Sequence, residues 1–175
     1  MGVLTLEEAK LYLKVDTTDD DSLIGSLVSV AEDIVEKITG RKLLTTDFTH
    51  ILDDAEETIL IPYSPLQEIT KIEVVADDGT VSEVDPGIYE VDTSGQTGRI
   101  ILKPGCSWPT HRGFASFIIT GKAGYGADAS AVPGPLKTAI LVALAILYEN
   151  RGQVESQKLI DSVSALCWPY RVMRL

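Results

Sequence analysis

The sequence predicts an α+β fold: a helical bundle of two N-terminal and two C-terminal helices, interrupted by a mostly antiparallel β insertion. Three observations predict it. Apolar residues recur at three- and four-residue steps towards both ends, as in Leu23, Leu27, Val30, Ile34 and Ile38, the period of a helix with an apolar face. From about Thr46 to Lys122 the period drops to two, in short runs rich in β-branched residues. Turn residues punctuate that region at Pro62, Pro65, Pro86-Gly87, Gly95, Pro104-Gly105 and Gly113, a spacing suited to a small antiparallel sandwich or barrel. The chain is expected to be one domain over 1–175, with a helical part at 1–46 and 130–175 and a β insertion at 47–125.

The first helix is expected from Leu6 to Lys14, with Leu6, Ala9 and Leu13 on one face. Thr5 and Glu8 form a capping box, each side chain satisfying the other's backbone N–H. Asp16-Thr17-Thr18-Asp19-Asp20-Asp21 breaks this helix and places acids at the positive end of the second. The second helix carries the Leu23-to-Ile38 stripe and stops at Gly40-Arg41-Lys42, glycine taking the left-handed position. Strands are expected at Phe48–Leu52, Thr58–Ile61, Lys71–Ala76, Thr80–Val84, Ile88–Val91, Arg99–Leu102 and Phe114–Thr120, with a hairpin turn at Asp77-Asp78-Gly79. Pro133 and Pro135 then open a helix, Leu136 to Asn150, that is apolar nearly all round and so suits burial between elements or between subunits. Arg151-Gly152 closes it. A last helix, Val154 to Leu166, ends at Trp168-Pro169.

Composition narrows the function classes. Hydrophobic residues make up 45% and charged residues 23%, an ordinary globular mix. Two cysteines are too few for a disulfide framework and fit a reducing cytoplasm. The start, MGVLTLEEAK, lacks the basic and apolar regions of a secretory leader, and the longest dense apolar run, Ala139 to Leu147, is far shorter than the roughly 20 residues a bilayer needs. A soluble intracellular protein is expected, with no membrane partner. Net charge is −11, split between −15 over residues 1–100 and +4 over 101–175. Such a chain is poorly suited to wrapping nucleic acid, which rests on clustered Lys and Arg; opposite-sign surfaces instead suit self-association or a partner.

No catalytic or metal-binding pattern emerges. His50 and His111 lack a companion ligand at a metal-site spacing. Cys106 and Cys167 form no paired motif and read as small buried thiols. Gly121-Lys122-Ala123-Gly124-Tyr125-Gly126 lacks the Lys-Ser/Thr pair of a phosphate loop and reads as a flexible loop. Asp19-Asp20-Asp21 and Asp53-Asp54-Ala55-Glu56-Glu57 lack the spacing of a calcium loop and read as a helix start and a solvated turn. No enzyme activity, metal or cofactor is expected. An alternative reading takes Tyr63, Tyr89 and Trp108 as exposed aromatics of a β module that binds a small ligand or carbohydrate on a helical scaffold.

Two stretches carry a resemblance. Leu4 to Asp16, an acidic break, and Ala31-Glu32-Asp33-Ile34-Val35-Glu36-Lys37-Ile38-Thr39-Gly40-Arg41 resemble the N-terminal signature of tailed-phage head–tail connector (adaptor) proteins. Tyr125 to Leu141, running on to Leu147-Tyr148-Glu149-Asn150-Arg151, looks like the P-x-x-L/I-K-x-A-I-L…Y-E-N-R helix of their prophage-encoded branch, and Pro169-Tyr170-Arg171 matches that branch's ending. The resemblance implies a structural virion protein at the head–tail interface, present in the host cytoplasm during assembly. It implies a ring, dodecameric in the virion, between the portal protein and the tail completion or stopper proteins. That ring would lengthen the channel for double-stranded DNA, which passes without sequence-specific binding. The β insertion is larger than in the shortest all-helical members. Composition adds one site: Trp168, Tyr170, Arg171, Met173 and Arg174 crowd an acid-free tail, residue types suited to docking a neighbouring subunit or the portal. After Trp168-Pro169 the tail is expected to leave the bundle extended; the competing expectation is that Trp168 and Tyr170 fold back onto the bundle's core.

Overall fold

The structure, a computed structural model, describes residues 2–150 and 156–172. The fold is α+β and separates into two compact units, Met1–Leu44 with Tyr125–Leu175, and Thr45–Gly124. Among the described residues no helix is long and apolar enough to cross a membrane.

Among the described residues the first unit holds four α-helices: α1 (Leu6–Leu13), α2 (Asp21–Thr39), α3 (Gly134–Asn150) and α4 (Ser156–Cys167). The capping box forms, with the Glu8 N–H donating to the Thr5 hydroxyl at 3.1 Å and the Thr5 N–H to the Glu8 carboxylate at 2.8 Å. Asp20 precedes α2, yet its carboxylate caps nothing; it accepts from the Tyr148 hydroxyl at 2.6 Å and so ties α3 to the start of α2. Ile24, Val28, Ala31 and Val35 of α2 are buried with Leu136, Ala139, Ile140, Ala143 and Leu144 of α3 and Leu159, Val163 and Cys167 of α4. This corrects the expected stripe. The buried line on α2 lies one residue along from Leu23-Leu27-Val30-Ile34-Ile38, because Ala31 belongs to the same cluster as Ala139 and Ala143 and small side chains let helices approach closely. Residues 151–155, the expected close of α3 and start of the last helix, lie outside the described residues.

The second unit holds seven strands: β1 (Thr46–Leu52), β2 (Thr58–Ile61), β3 (Leu66–Val75), β4 (Val81–Glu83), β5 (Tyr89–Asp92), β6 (Gly98–Leu102) and β7 (Phe117–Ala123). They form two sheets, ordered β1-β7-β3-β4 and β2-β6-β5, antiparallel at every pairing. Phe48, Ile72, Val74, Phe117 and Ile119 of the first share one core with Ile59, Ile61 and Ile100 of the second, as in a sandwich. Gly98 and Leu66 mark how tightly the sheets meet, since a methyl at Gly98 would sit within 2.5 Å of Leu66 Cβ. The β3–β4 hairpin turns at Asp77-Asp78-Gly79 with Gly79 at φ 84°, and the Asp78 carboxylate accepts from the Thr80 N–H at 2.8 Å.

Two strand expectations are corrected. β3 begins at Leu66, five residues early, because register shifts at Leu66/Glu68 and Ile69/Lys71 break the alternation that betrays a strand. β7 ends at Ala123, so Gly121-Lys122-Ala123 are strand and not loop. Gly121 is glycine for a packing reason: an added Cβ would run into the Glu68 carbonyl and come within 2.9 Å of the Phe48 ring.

Candidate assembly surface

The tail departs from the extended form expected of it. Trp168–Tyr170 form a single 3-10 turn directly after α4, and Val172 reaches back to the end of α2. There Gly40 adopts φ 69° and donates to the Glu36 carbonyl, which leaves the Thr39 carbonyl open to accept the Val172 N–H at 2.8 Å. Arg41 Nε donates to the Tyr170 carbonyl at 2.5 Å. The end of α2 thus holds the tail through the Thr39 carbonyl and the Arg41 side chain, partners that no local sequence pattern announces. Tyr170 is half-buried against the helical core, and Trp168 is 68% exposed. The guanidinium of Arg171, itself exposed, lies 6.0 Å from the Trp168 ring centroid. Trp168 and Arg171 therefore face outwards together and Tyr170 faces in. Met173 and Arg174 lie outside the described residues.

Beneath the turn, Cys167 is fully buried, and burial pushes its thiol up to about 11. Burial likewise raises the Tyr125 hydroxyl, against the pull of the Arg41 charge. These groups sit under the surface and offer no reactive centre.

The other candidates disperse into structure. His50 packs edge-on to Tyr63 at 5.9 Å, and burial lowers its pKa. His111 meets Asp54 at 3.0 Å and the Phe117 ring at 4.8 Å. Asp53 accepts the Ala115 N–H at 2.8 Å, so the acidic turn at 53–57 pins the loop before β7. Cys106 is half-buried. Among the described residues no group of three or more His, Cys, Asp or Glu side chains converges as a metal site. The aromatics of the carbohydrate-binding reading are not exposed: Tyr63 stacks on Phe48 at 4.3 Å, and Trp108 packs edge-on to Phe117 at 5.6 Å and donates to the Glu56 carbonyl at 3.0 Å. Tyr89 lies 6.3 Å from Trp108, and all three are half-buried against the β core instead of standing out as a sugar platform. Phe114, which sequence reasoning did not single out, is instead 65% exposed under the Arg112 guanidinium.

The sequence matches the family model described as head completion protein over residues 2–158. The chain belongs to the head completion protein family. This is the connector and completion family that the two helical signatures resemble. Solved structures share its fold. This head completion protein matches a chain in the "Neck of empty GTA particle computed with C6 symmetry" with TM-score 0.82 and 24% identity, covering 99% of this chain and 91% of that one. A chain in the "Virion of native gene transfer agent (GTA) particle" matches with TM-score 0.79 and 24% identity at the same coverages. A third, in the "Neck of native GTA particle computed with C12 symmetry", matches with TM-score 0.77 and 22% identity, again covering 99% and 91%. No curated protein matches the chain.

Proposed function

We propose that this head completion protein is a structural, non-enzymatic neck component: one connector domain, residues 1–175, whose copies form a ring, dodecameric in the virion, between the portal and the tail completion or stopper proteins. The ring lengthens the channel through which double-stranded DNA passes without sequence-specific contact. The protein acts at the virion head–tail interface after assembly from the host cytoplasm. The observation that carries this reading is the family match over 2–158, supported by near-complete fold likeness to chains from gene transfer agent necks. The outward pair Trp168 and Arg171, with Tyr170 anchoring the turn and Met173 and Arg174 following it, docks a neighbouring subunit or the portal. The charge supports free passage of DNA: residues 45–124 alone hold 13 acids and 5 bases, a net of −8.

Deletion of the gene from its phage or prophage tests the reading. DNA-filled heads without tails should accumulate, and the wild-type chain supplied in trans should restore tailed particles and be recovered in them. Normal tailed particles from the deletion would refute the function.

A further inference from the structure

We propose that the Trp168 end of the helical unit on one copy of this chain docks on the Phe114 end of the β unit on the next. The proposal rests on the ring reading above and names the surface that receives the tail. The register places Leu52 of β1, Phe117 of β7 and Val74 of β3 in one row. The turns that leave β1 and β3 and the loop that enters β7 therefore gather at one end of the four-stranded sheet. That loop holds Phe114 outwards. Ala115 adopts φ 43°, a left-handed conformation that a residue with a side chain rarely takes. Its N–H donates to Asp53, and the Arg112 guanidinium donates to the Phe114 and Ala115 carbonyls while lying 4.6 Å over the Phe114 ring. The hydroxyl of buried Ser116 donates to the Arg112 carbonyl. These anchors and an unfavourable backbone keep an aromatic ring 65% exposed, where a relaxed loop is free to fold it away. On the same sheet, Ile51 and Val81 are 55% and 52% exposed on the face turned away from the β core.

The charges at this end name the occupant. Strand β7 lies between β1 and β3, so exposed Asp53, Asp54, Glu56 and Glu57 border its entry on one side and exposed Asp77 and Asp78 on the other. Neither turn carries a Lys or Arg. The bases of the loop itself are engaged, Arg112 on the two carbonyls and His111 on Asp54 at 3.0 Å. An apolar knob in an acidic border fits an apolar partner in a basic one. The helical unit presents such a partner. The Val172–Thr39 and Arg41–Tyr170 hydrogen bonds bring residues 37–42 and 168–172 together. These two segments hold Lys37, Arg41, Lys42 and Arg171 and no acid, and they include Trp168, 68% exposed. Glu36 is occupied by Lys42 and the Leu43 N–H, and exposed Asp33 and Asp161 lie about one and two helical turns back from Lys37 and Trp168. Trp and Arg are the residue types enriched at interface hot spots. The two surfaces use different residues of one chain, so their contact is heterologous and closes into a ring when the rotation permits.

The test uses the full chain and two variants, Phe114→Ser and Trp168→Ala, with mass followed against concentration by sedimentation equilibrium. Both positions are exposed, so far-UV circular dichroism should match wild type; Asp77→Lys and Arg171→Glu stand in for a variant that fails to fold. Wild type should grow in mass with concentration, and less so in about 0.5 M salt, where exposed charges are screened. Each variant should stay monomeric to roughly tenfold higher concentration, as expected for loss of one hot spot. Each variant retains the surface that the other lacks, so their equimolar mixture should form dimers and stop there. Asp77→Lys and Arg171→Glu should each weaken association and, combined in one chain, weaken it less than their separate effects sum to. Association of either apolar variant like wild type, a mixture that stays monomeric, purely additive charge reversals, or a wild type monomeric throughout would each overturn the proposal. Trp168→Ala that associates like wild type yet is lost from tailed particles would put the tail on the portal instead. Recovery of the wild-type chain in tailed particles separates this failure from failure of the ring reading: a chain that is recovered there yet monomeric in solution refutes only these surfaces.

Discussion

Two adjacent residues on α2 give a sharp test of which apolar line holds the helical unit together. Ile24 is fully buried and Leu23 is 41% exposed. Ile24→Ala removes three buried carbons, about 2.4 kcal/mol of transfer free energy at about 0.8 per methylene. The cavity left inside a close-packed core raises the cost to about 3–4 kcal/mol. Leu23→Ala removes the same number of carbons, but only about six-tenths of that area is buried, which gives roughly 1.4 kcal/mol. Water fills the gap, and alanine's better helix propensity returns about 0.2 kcal/mol, leaving about 1 kcal/mol. The measurement is urea unfolding followed by far-UV circular dichroism, at a dilution where wild type is monomeric. At an m-value of about 2 kcal/mol/M, the two midpoints should differ by about 1 M. A Leu23→Ala variant as destabilised as Ile24→Ala would refute the assignment of the core line.

Other outcomes follow from single contacts. Gly121→Ala should destabilise the β unit by about 1–3 kcal/mol in denaturant titrations followed by Trp108 fluorescence, because the new Cβ meets the Glu68 carbonyl and the Phe48 ring. At pH 8 the Cys167 thiol, held up at about 11, stays protonated and buried, so a thiol reagent should titrate Cys106 in the native protein and Cys167 only on unfolding. Thr5 backbone and side-chain hydrogen bonds hold the Glu8 carboxyl below its ordinary 4.5. A depressed folded pKa means stability that is present above the unfolded value and lost as pH falls through the folded one. The stability gap between wild type and Glu8→Gln should therefore be full at pH 7 and close as pH falls below 4.5, measured by unfolding at each pH.

Local chemistry was legible in the sequence, and long-range choices between equivalent residues were not. The Thr5–Glu8 box, the Gly40 stop and the Asp77-Asp78-Gly79 turn each depend on neighbours within four positions, and all three form as read. Period alone marked α2 as amphipathic. It could not say that the line through Ala31 would be fully buried while Leu27, Ile34 and Ile38 lie half-buried at the edge of the same core, because that depends on Ala139 and Ala143 of α3, over a hundred residues away. Bulges hid the start of β3, since a register shift disrupts the alternation that pattern reading relies on. The tail shows the same division. Its residue types pointed to an interface, but its path is set by the Thr39 carbonyl and Arg41, partners with no local signature.

The fate of the cations in the β unit bears on whether that unit could hold a nucleic acid by its phosphates. Phosphate binding needs Lys and Arg free to neutralise phosphates and so displace the counterions condensed on the nucleic acid, and affinity grows with each one engaged. Residues 45–124 hold five such side chains. Lys71 pairs with Glu73 at 2.9 Å, Arg99 with Asp92 at 2.8 Å and Lys122 with Glu68 at 2.8 Å. Lys103 donates to the Gly87 carbonyl at 2.9 Å, and Arg112 donates to the Phe114 and Ala115 carbonyls at 2.7 and 2.9 Å. A phosphate would have to displace an internal partner at every one of the five, within a unit whose net charge of −8 already repels it. Exposed ion pairs are individually weak, worth about 0–1 kcal/mol, so the decisive factor is the excess of acids and not the pairing itself. The acid excess therefore makes the β unit a poor phosphate binder, and its five cations serve the unit's own ion pairs and carbonyls instead.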